Sequence, residues 1–127
     1  MDKIIIRTAN APAPIGPYSQ AVLVGQTLYI SGQICLDPVT GELKNKSIQE
    51  ETQQVMENLK AILTEAGADF SKVIKSTIFL MDMGQFAQVN EVYGAYFDNA
   101  TAPARETVQV SGLPKGVQVE ISVIALV

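Results

Sequence analysis

The sequence has no histidine and a single cysteine, Cys35, among its 127 residues. Catalytic triads, histidine bases and histidine or multi-thiolate metal sites are therefore excluded, as is an intrachain disulfide. The glycine-rich phosphate- and dinucleotide-binding motifs and the serine-hydrolase elbow are also missing. Any catalysis must rest on Arg, Asp, Glu, Lys, Ser, Thr, Tyr or the backbone.

Positive charge and long apolar runs are scarce as well. The net charge is −4 and no Lys/Arg cluster occurs, which disfavours nucleic-acid binding. The apolar stretch Ile4–Ile6 is too short for the core of a signal peptide, and the longest apolar run, Val123–Val127, is too short to span a membrane. We therefore expect a cytoplasmic protein, and the hydrophobic content of 47% is sufficient for one domain over residues 1–127.

Alternating apolar residues and turn signals predict three strands in the first third of the chain. Three prolines within Asn10–Pro17 exclude regular structure there. Gly25 opens a two-residue connection that fits a type II′ hairpin turn. The predicted features are a strand at 4–6, a hairpin of 21–24 and 27–30, and a turn at 37–41.

Helical signals follow. Ser47 and Glu50 form a capping box, and Gly67 is placed to end the helix behind it. The apolar stripe of that helix is Ile48, Thr52, Val55, Leu59, Ile62 and Ala66. Further predictions are a strand at 73–80, a second helix after Gly84 with Phe86, Val89, Tyr93 and Tyr96/Phe97 on one side, and strands at 106–110 and 117–127.

The element order β-β-β-α-β-α-β-β predicts an α+β sheet with two helices on one face. The last strand is apolar on both of its faces, so the second face also needs cover. No other part of the sequence is left to provide this cover. We therefore expect self-association along the uncovered face.

Four positions are candidates for chemistry, and each also has an ordinary structural interpretation. Tyr18 could simply pack, Ser31-Gly32 could be a bulge, and Arg105 could be a surface ion-pair residue. Glu120 is different because it sits mid-strand between apolar neighbours, where a carboxylate should be paired or functional. An exposed surface charge is the alternative for Glu120.

Five strings in order make the sequence similar to the Rid (YjgF) family of reactive-intermediate deaminases. They are 11–20 (APAPIGPYSQ), 31–33 (SGQ), Val89-Asn90 with Tyr93, 103–105 (PAR), and 113–116 (LPKG) followed by 119–121 (VEI). The resemblance implies a chorismate-mutase-like α+β fold with a mixed sheet of about six strands. It also implies that three subunits join their sheets into a homotrimeric barrel with clefts between subunits.

The resemblance further implies hydrolysis of 2-imino acids, such as 2-iminopropanoate and 2-iminobutanoate, to 2-oxo acids and ammonia, without cofactor or metal. Arg105 would bind the substrate carboxylate and Glu120 would hold the attacking water. The residues implied to line the cleft are Tyr18, Ser31, Gly32, Asn90 and Thr107.

Two departures from the family pattern affect the site. Glu106 stands where a small or uncharged residue is usual, but alternation along a strand turns it away from Arg105. Thr107 stands where many relatives carry cysteine. Two alternatives stay open: a non-catalytic trimer that binds a small ligand in the same cleft, and a ribonuclease or translation inhibitor, which the acidic composition disfavours.

Overall fold

A six-stranded mixed sheet carries two helices in the computed structural model, which describes residues 2–127. The sheet order is β1-β2-β3-β6-β4-β5, with β4 and β5 parallel and the other neighbours antiparallel. These elements confirm the α+β class and the predicted element order. Their bounds are β1 (Lys3–Ile6), β2 (Ala21–Val24), β3 (Thr27–Gln33), α1 (Ile48–Glu65), β4 (Val73–Leu80), α2 (Phe86–Gly94), β5 (Ala104–Gln109) and β6 (Val119–Leu126).

Local turn chemistry agrees with the sequence at the β2–β3 hairpin and around α1. Gly25 has φ of 61°, whereas Gln26 stays at negative φ, as a type II′ turn requires. The Ser47 side chain accepts from the Glu50 N–H at 3.0 Å. Glu50 in turn accepts from the N–H of Lys46 at 3.1 Å rather than from that of Ser47, so the capping box is shifted by one residue.

Both helices pack on one face of the sheet, and the hydrophobic core lies between these layers. On β6, alternate residues from Val119 to Ala125 are buried against α1 and α2. The largest fully buried apolar side chains of the core are Leu28, Met56, Leu59, Ile62, Leu63, Ile78, Leu80 and Ile121. Among the described residues, neither helix has the length and apolarity needed to cross a lipid bilayer.

Within residues 2–127, no helix covers the opposite face of the sheet. Tyr29 is 51% exposed there, and its cross-strand neighbour Ile124 is only partly buried. Lys75 on this face forms an ion pair with Glu106 of the neighbouring strand at 3.0 Å. The prediction that the two helices would cover a single face is therefore confirmed.

Four strands differ from the prediction at one or both ends. The first strand begins at Lys3 rather than at Ile4, and β3 continues to Gln33 rather than ending at Ile30. The last strand begins at Val119 rather than Val117, because a carboxylate of α1 takes the N–H groups of Gln118 and Val119. The strand β5 spans Ala104–Gln109 rather than 106–110, because its parallel register with β4 already begins at Ala104. Small and polar residues behind a proline gave no strand signal, so the sequence pattern missed this start.

The second helix is shorter than its apolar stripe. The helix ends at Gly94, while Tyr96 and Phe97 lie in the turns that follow. Both rings pack on Phe70, with centroid distances of 5.1 and 5.3 Å. The apolar spacing therefore marked residues that share a core but not a single helix.

Candidate functional site

The proline-rich loop before β2 is fixed by one buried amide. Gln20 is 3% exposed, and its side-chain oxygen accepts from the N–H of Thr8 at 2.8 Å. Its Nε2 donates to the carbonyls of Thr8, Ala11 and Pro12 at 3.0, 3.3 and 2.9 Å. Sequence analysis missed this role, although a polar residue next to an apolar strand is a usable signal. The bonds hold the loop that presents Tyr18, whose side chain is 52% exposed.

The Ser31-Gly32 pair forms a bulge in β3, as its structural interpretation suggested. The pairing with β6 shifts between Ile30 and Gln33, so the pair lies opposite a single residue of β6. Ser31 donates from its hydroxyl to the carbonyl of Ser19 at 2.6 Å, which joins the bulge to the loop.

The bulge gives space to the side chain of Glu120. A Cβ added at Gly32 would lie 2.5 Å from Glu120 Oε2 and 2.8 Å from its Cδ, so a larger residue would displace the carboxylate from this position. Burial raises the pKa of Glu120 above its usual range. Within residues 2–127, no cation and no hydrogen-bond donor reaches the carboxylate.

Glu120 opens into a cavity of about 470 Å³ between the bulge, the proline-rich loop and the loop before β6. We call this the Glu120 half-site. Its polar and flanking residues are Tyr18, Gln20, Ser31, Gly32, Lys115 and Glu120. Four of the predicted site residues are thus brought together here.

Arg105 lies in β5 and points toward α2. Its guanidinium carbon is 5.4 Å from the ring centre of Phe86 and 5.2 Å from that of Tyr93. Nη1 donates to the Asn90 side-chain oxygen at 2.6 Å. Phe86, Asn90 and Tyr93 occupy steps of four and three along α2, so all three contact the guanidinium from one helix face.

A cavity of about 390 Å³ adjoins this arginine, and we call this region the Arg105 half-site. Its partners for the guanidinium are two aromatic rings and an amide, all of them neutral. Glu106 points to the other face, where it pairs with Lys75, so the predicted separation of Glu106 from Arg105 is confirmed. Within the described part of the chain, no carboxylate therefore pairs with the positive charge of Arg105.

Thr107 follows Arg105 on the same face of β5. Its hydroxyl oxygen is buried, and within residues 2–127 it is without a hydrogen-bond partner. A buried hydroxyl without a partner is costly unless a ligand or another chain supplies one. The third predicted residue of this region, Asn90, is committed to Arg105 itself.

The two half-sites lie on opposite faces of the sheet. Arg105 is opposite Ser76 in β4, whereas Glu120 is opposite Phe79, three residues further along the same strand. An odd step along a strand reverses the face. Two strand spacings and three residue rises also separate the backbones by roughly 14 Å. One chain therefore does not bring Arg105 and Glu120 together.

Glu51 is a buried carboxylate that the sequence patterns did not mark, and it holds the backbone next to Glu120. Glu51, in the first turn of α1, is 2% exposed and accepts from the N–H groups of Gln118 and Val119 at 2.6 and 2.8 Å. These bonds fix the start of β6, one residue before Glu120. Burial is the main cause that raises the pKa of Glu51. The signal in the sequence was weak, because acidic residues are common in first turns of helices.

Cys35 lies in the core at 0% exposure, and burial raises the pKa of its thiol to about 11. It is an inert packing residue at neutral pH. Within residues 2–127, no group of His, Cys, Asp and Glu side chains is arranged to hold a metal ion.

Comparisons with known proteins agree with this fold. Residues 8–127 match the family model described as Endoribonuclease L-PSP. A 2-iminobutanoate/2-iminopropanoate deaminase from Bos taurus is 52% identical over 122 residues, covering 96% of this chain and 88% of that protein. The crystal structure of the Rid family protein YyfA from Yersinia pestis has a TM-score of 0.96 at 48% identity and covers 99% of this chain and 100% of its own.

The structure of TdcF from E. coli with bound serine is a further match. Its TM-score is 0.91 at 44% identity, with 98% of each chain covered. Identities near one half over almost the full length, together with the shared fold, leave no ambiguity of family. The chain belongs to the Rid (YjgF) family, which the matching model describes as Endoribonuclease L-PSP.

Proposed function

We propose that three copies of this chain, each one domain of residues 1–127, form a homotrimer that hydrolyses 2-imino acids to 2-oxo acids and ammonia. One observation supports this proposal above all. Arg105 has only neutral partners, and Glu120 has none within residues 2–127. The carboxylate of a 2-imino acid needs a cation to bind it, and the attacking water needs a base to accept its proton. The deaminase name of the bovine relative supports the same substrate class.

Arg105 binds the substrate carboxylate in this proposal. A guanidinium offers five N–H donors, and Asn90 uses one of them. The remaining donors form a planar fork that matches two carboxylate oxygens, and the charge does not titrate near neutral pH. The Thr107 hydroxyl, buried and without a partner, is positioned to donate to the same ligand.

Glu120 acts as the base for the attacking water. The water oxygen bonds to C2 of the protonated imine while one water proton passes to the Glu120 carboxylate. The proton then moves from Glu120 to the amino nitrogen of the carbinolamine. The C2–N bond breaks while the carbinolamine hydroxyl gives its proton back to Glu120, so neutral ammonia and the 2-oxo acid form. Glu120 finally passes this proton to the departing ammonia or to solvent, which restores the carboxylate. A carboxyl whose pKa is raised by burial suits both transfers. No cofactor is required, because a protonated imine is already electrophilic.

The assembly follows from the opposite placement of the half-sites. A complete site needs the Arg105 half-site of one subunit against the Glu120 half-site of another. A partner that covers one face of the sheet does not also cover the other, so the contacts are head-to-tail and close into a ring. The uncovered face with exposed Tyr29 supports burial in such a ring, and the family resemblance gives the number three.

The test is turnover of an imino acid generated in place by an amino-acid oxidase, with ammonia release as the readout. Wild type should accelerate release in proportion to its concentration, and Glu120→Gln should not. If wild type binds a 2-oxo acid but gives no acceleration, the protein is a non-catalytic ligand-binding trimer. If it instead degrades RNA, the ribonuclease alternative replaces the proposal.

A further inference from the structure

Ser76 is a polar residue on the core face of β4, where the buried residues that follow it on that face, Ile78 and Leu80, are apolar. It is 0% exposed and lies opposite Val123 of β6 and Arg105 of β5. A hydroxyl at such a place is unfavourable unless it is hydrogen-bonded. Its partner is Tyr93 of α2, whose hydroxyl donates to Ser76 Oγ at 2.8 Å.

The ring of Tyr93 is also one of the two rings that flank Arg105. The side chain is 5% exposed, and its ring centre lies 5.2 Å from the guanidinium carbon. Phe86, the other ring, is held by packing, and Asn90 bonds to the arginine itself. The Ser76–Tyr93 bond joins this face of α2 to β4, the strand next to Arg105, independently of the arginine itself.

We infer that Ser76 and Tyr93 form a positioning pair that fixes the Arg105 guanidinium for carboxylate binding. The inference rests on the proposed function, since it takes Arg105 as the carboxylate ligand. Neither residue needs to touch the substrate. The pair holds the ring, the ring limits the movement of the guanidinium, and the N–H fork keeps its direction.

The direction of the expected effects distinguishes this pair from ordinary packing. Ser76→Ala leaves the Tyr93 hydroxyl buried without an acceptor, so we expect the ring to shift. Tyr93→Phe removes the hydroxyl itself, so we expect the remaining ring to keep its position. Ser76→Ala should therefore weaken binding of 2-oxobutanoate about 10-fold and Tyr93→Phe only about 3-fold. The double variant should bind better than Ser76→Ala alone.

The turnover number should stay within about 2-fold of wild type in all three variants, because the base at each site is the Glu120 of another subunit and none of these substitutions changes its half-site. The effect should appear in KM and in the affinity for 2-oxobutanoate. Tyr96→Phe is the matched control. It removes a hydroxyl from the same aromatic cluster, where Tyr96 donates to Glu57 at 2.8 Å, away from Arg105.

A second readout does not depend on activity. The chain has two arginines, Arg7 and Arg105, so a spectrum of ¹⁵N-arginine-labelled protein has two Nε–Hε signals, which Arg7→Lys assigns. The Arg105 signal should be displaced by its flanking rings. Ser76→Ala should move it toward the position of a free arginine, and Tyr96→Phe should leave it unchanged. Tyr93→Leu, which removes the ring, serves the same comparison if Ser76→Ala does not fold.

Failure of the inference and failure of the proposed function give different results. If wild type turns over imino acids but Ser76→Ala leaves both the affinity and the Arg105 signal unchanged, the positioning pair is refuted. Equal losses in Tyr96→Phe and Ser76→Ala would refute it too. If the Arg105 signal moves as expected but wild type binds no 2-oxo acid, the pair stands and the proposed function fails.

Discussion

The substitution Gly32→Ala tests whether the position of Glu120 determines the rate. Gly32 is not in the left-handed region, so alanine brings no backbone strain, and only space is at issue. The new Cβ would lie 2.5 Å from Glu120 Oε2, whereas ordinary contacts begin at 3.4 Å. The carboxylate must therefore retreat by about 0.9 Å.

A displacement of about 1 Å of a catalytic group costs on the order of 100-fold in rate, or about 2.7 kcal/mol of transition-state stabilisation. We expect Gly32→Ala to lower kcat by that factor, while the affinity for 2-oxobutanoate at Arg105 changes much less. The assay is ammonia release from imino acid generated in place, alongside calorimetric binding of the 2-oxo acid.

Gly112→Ala is the matched control, since a Cβ at Gly112 meets nothing within 4 Å and this glycine is also outside the left-handed region. It should retain wild-type turnover. Gly32→Ala should also lower the melting temperature, and adding Glu120→Ala should restore it by removing the clash. Wild-type kcat in Gly32→Ala would refute the assignment of Glu120 as the base.

Three further predictions concern single side chains. Arg105→Lys should be nearly as inactive as Arg105→Ala, because an ammonium does not form the paired hydrogen bonds; the loss of transition-state stabilisation, measured through kcat/KM, should be about 2–5 kcal/mol. Arg7→Lys is the control. Near-normal turnover in Arg105→Lys would show that the site needs only a positive charge at this position. Glu120→Gln should abolish turnover yet raise the melting temperature at pH 7. Burial raises the folded pKa of Glu120, so its contribution to stability is present below about pH 4.5 and is lost as pH rises through the folded pKa. If the increase in melting temperature caused by Glu120→Gln did not become smaller toward pH 4.5, burial of the charge would not be its cause. Imino-acid hydrolysis should survive iodoacetamide at neutral pH, with mass spectrometry showing Cys35 unmodified in the native protein and Cys35→Ser retaining most activity; labelling with loss of activity in an intact trimer would place the chemistry elsewhere.

The sequence predicted what short-range patterns encode. The spacing of apolar residues and the turn residues located the helices and strands. The alternation of side chains along β5 correctly placed Glu106 and Arg105 on opposite faces. The family resemblance implied one cleft for all seven site residues. Within one chain Tyr18, Ser31, Gly32 and Glu120 line one cavity, whereas Arg105, Asn90 and Thr107 lie on the helix side of the sheet.

What the sequence did not predict depends on contacts between distant segments. The Glu51 carboxylate meets Val119, the first residue of β6, across 68 positions, and Ser76 meets Tyr93 across 17. The residues around Glu51 and Ser76 give no sign of these contacts, because acidic residues in first turns of helices and serines in strands are common. The opposite placement of Arg105 and Glu120 also required the strand order, which no local pattern contains.

The central claim is that each site takes Arg105 from one subunit and Glu120 from another. Coexpression of Arg105→Ala with Glu120→Gln tests it, since we expect each variant alone to be inactive. Random mixing gives an intact site wherever the Arg105 of a Glu120→Gln subunit faces the Glu120 of an Arg105→Ala subunit, so about a quarter of wild-type activity should return. Native mass spectrometry must show that mixed trimers formed. Mixed trimers without any recovered activity would contradict the shared site.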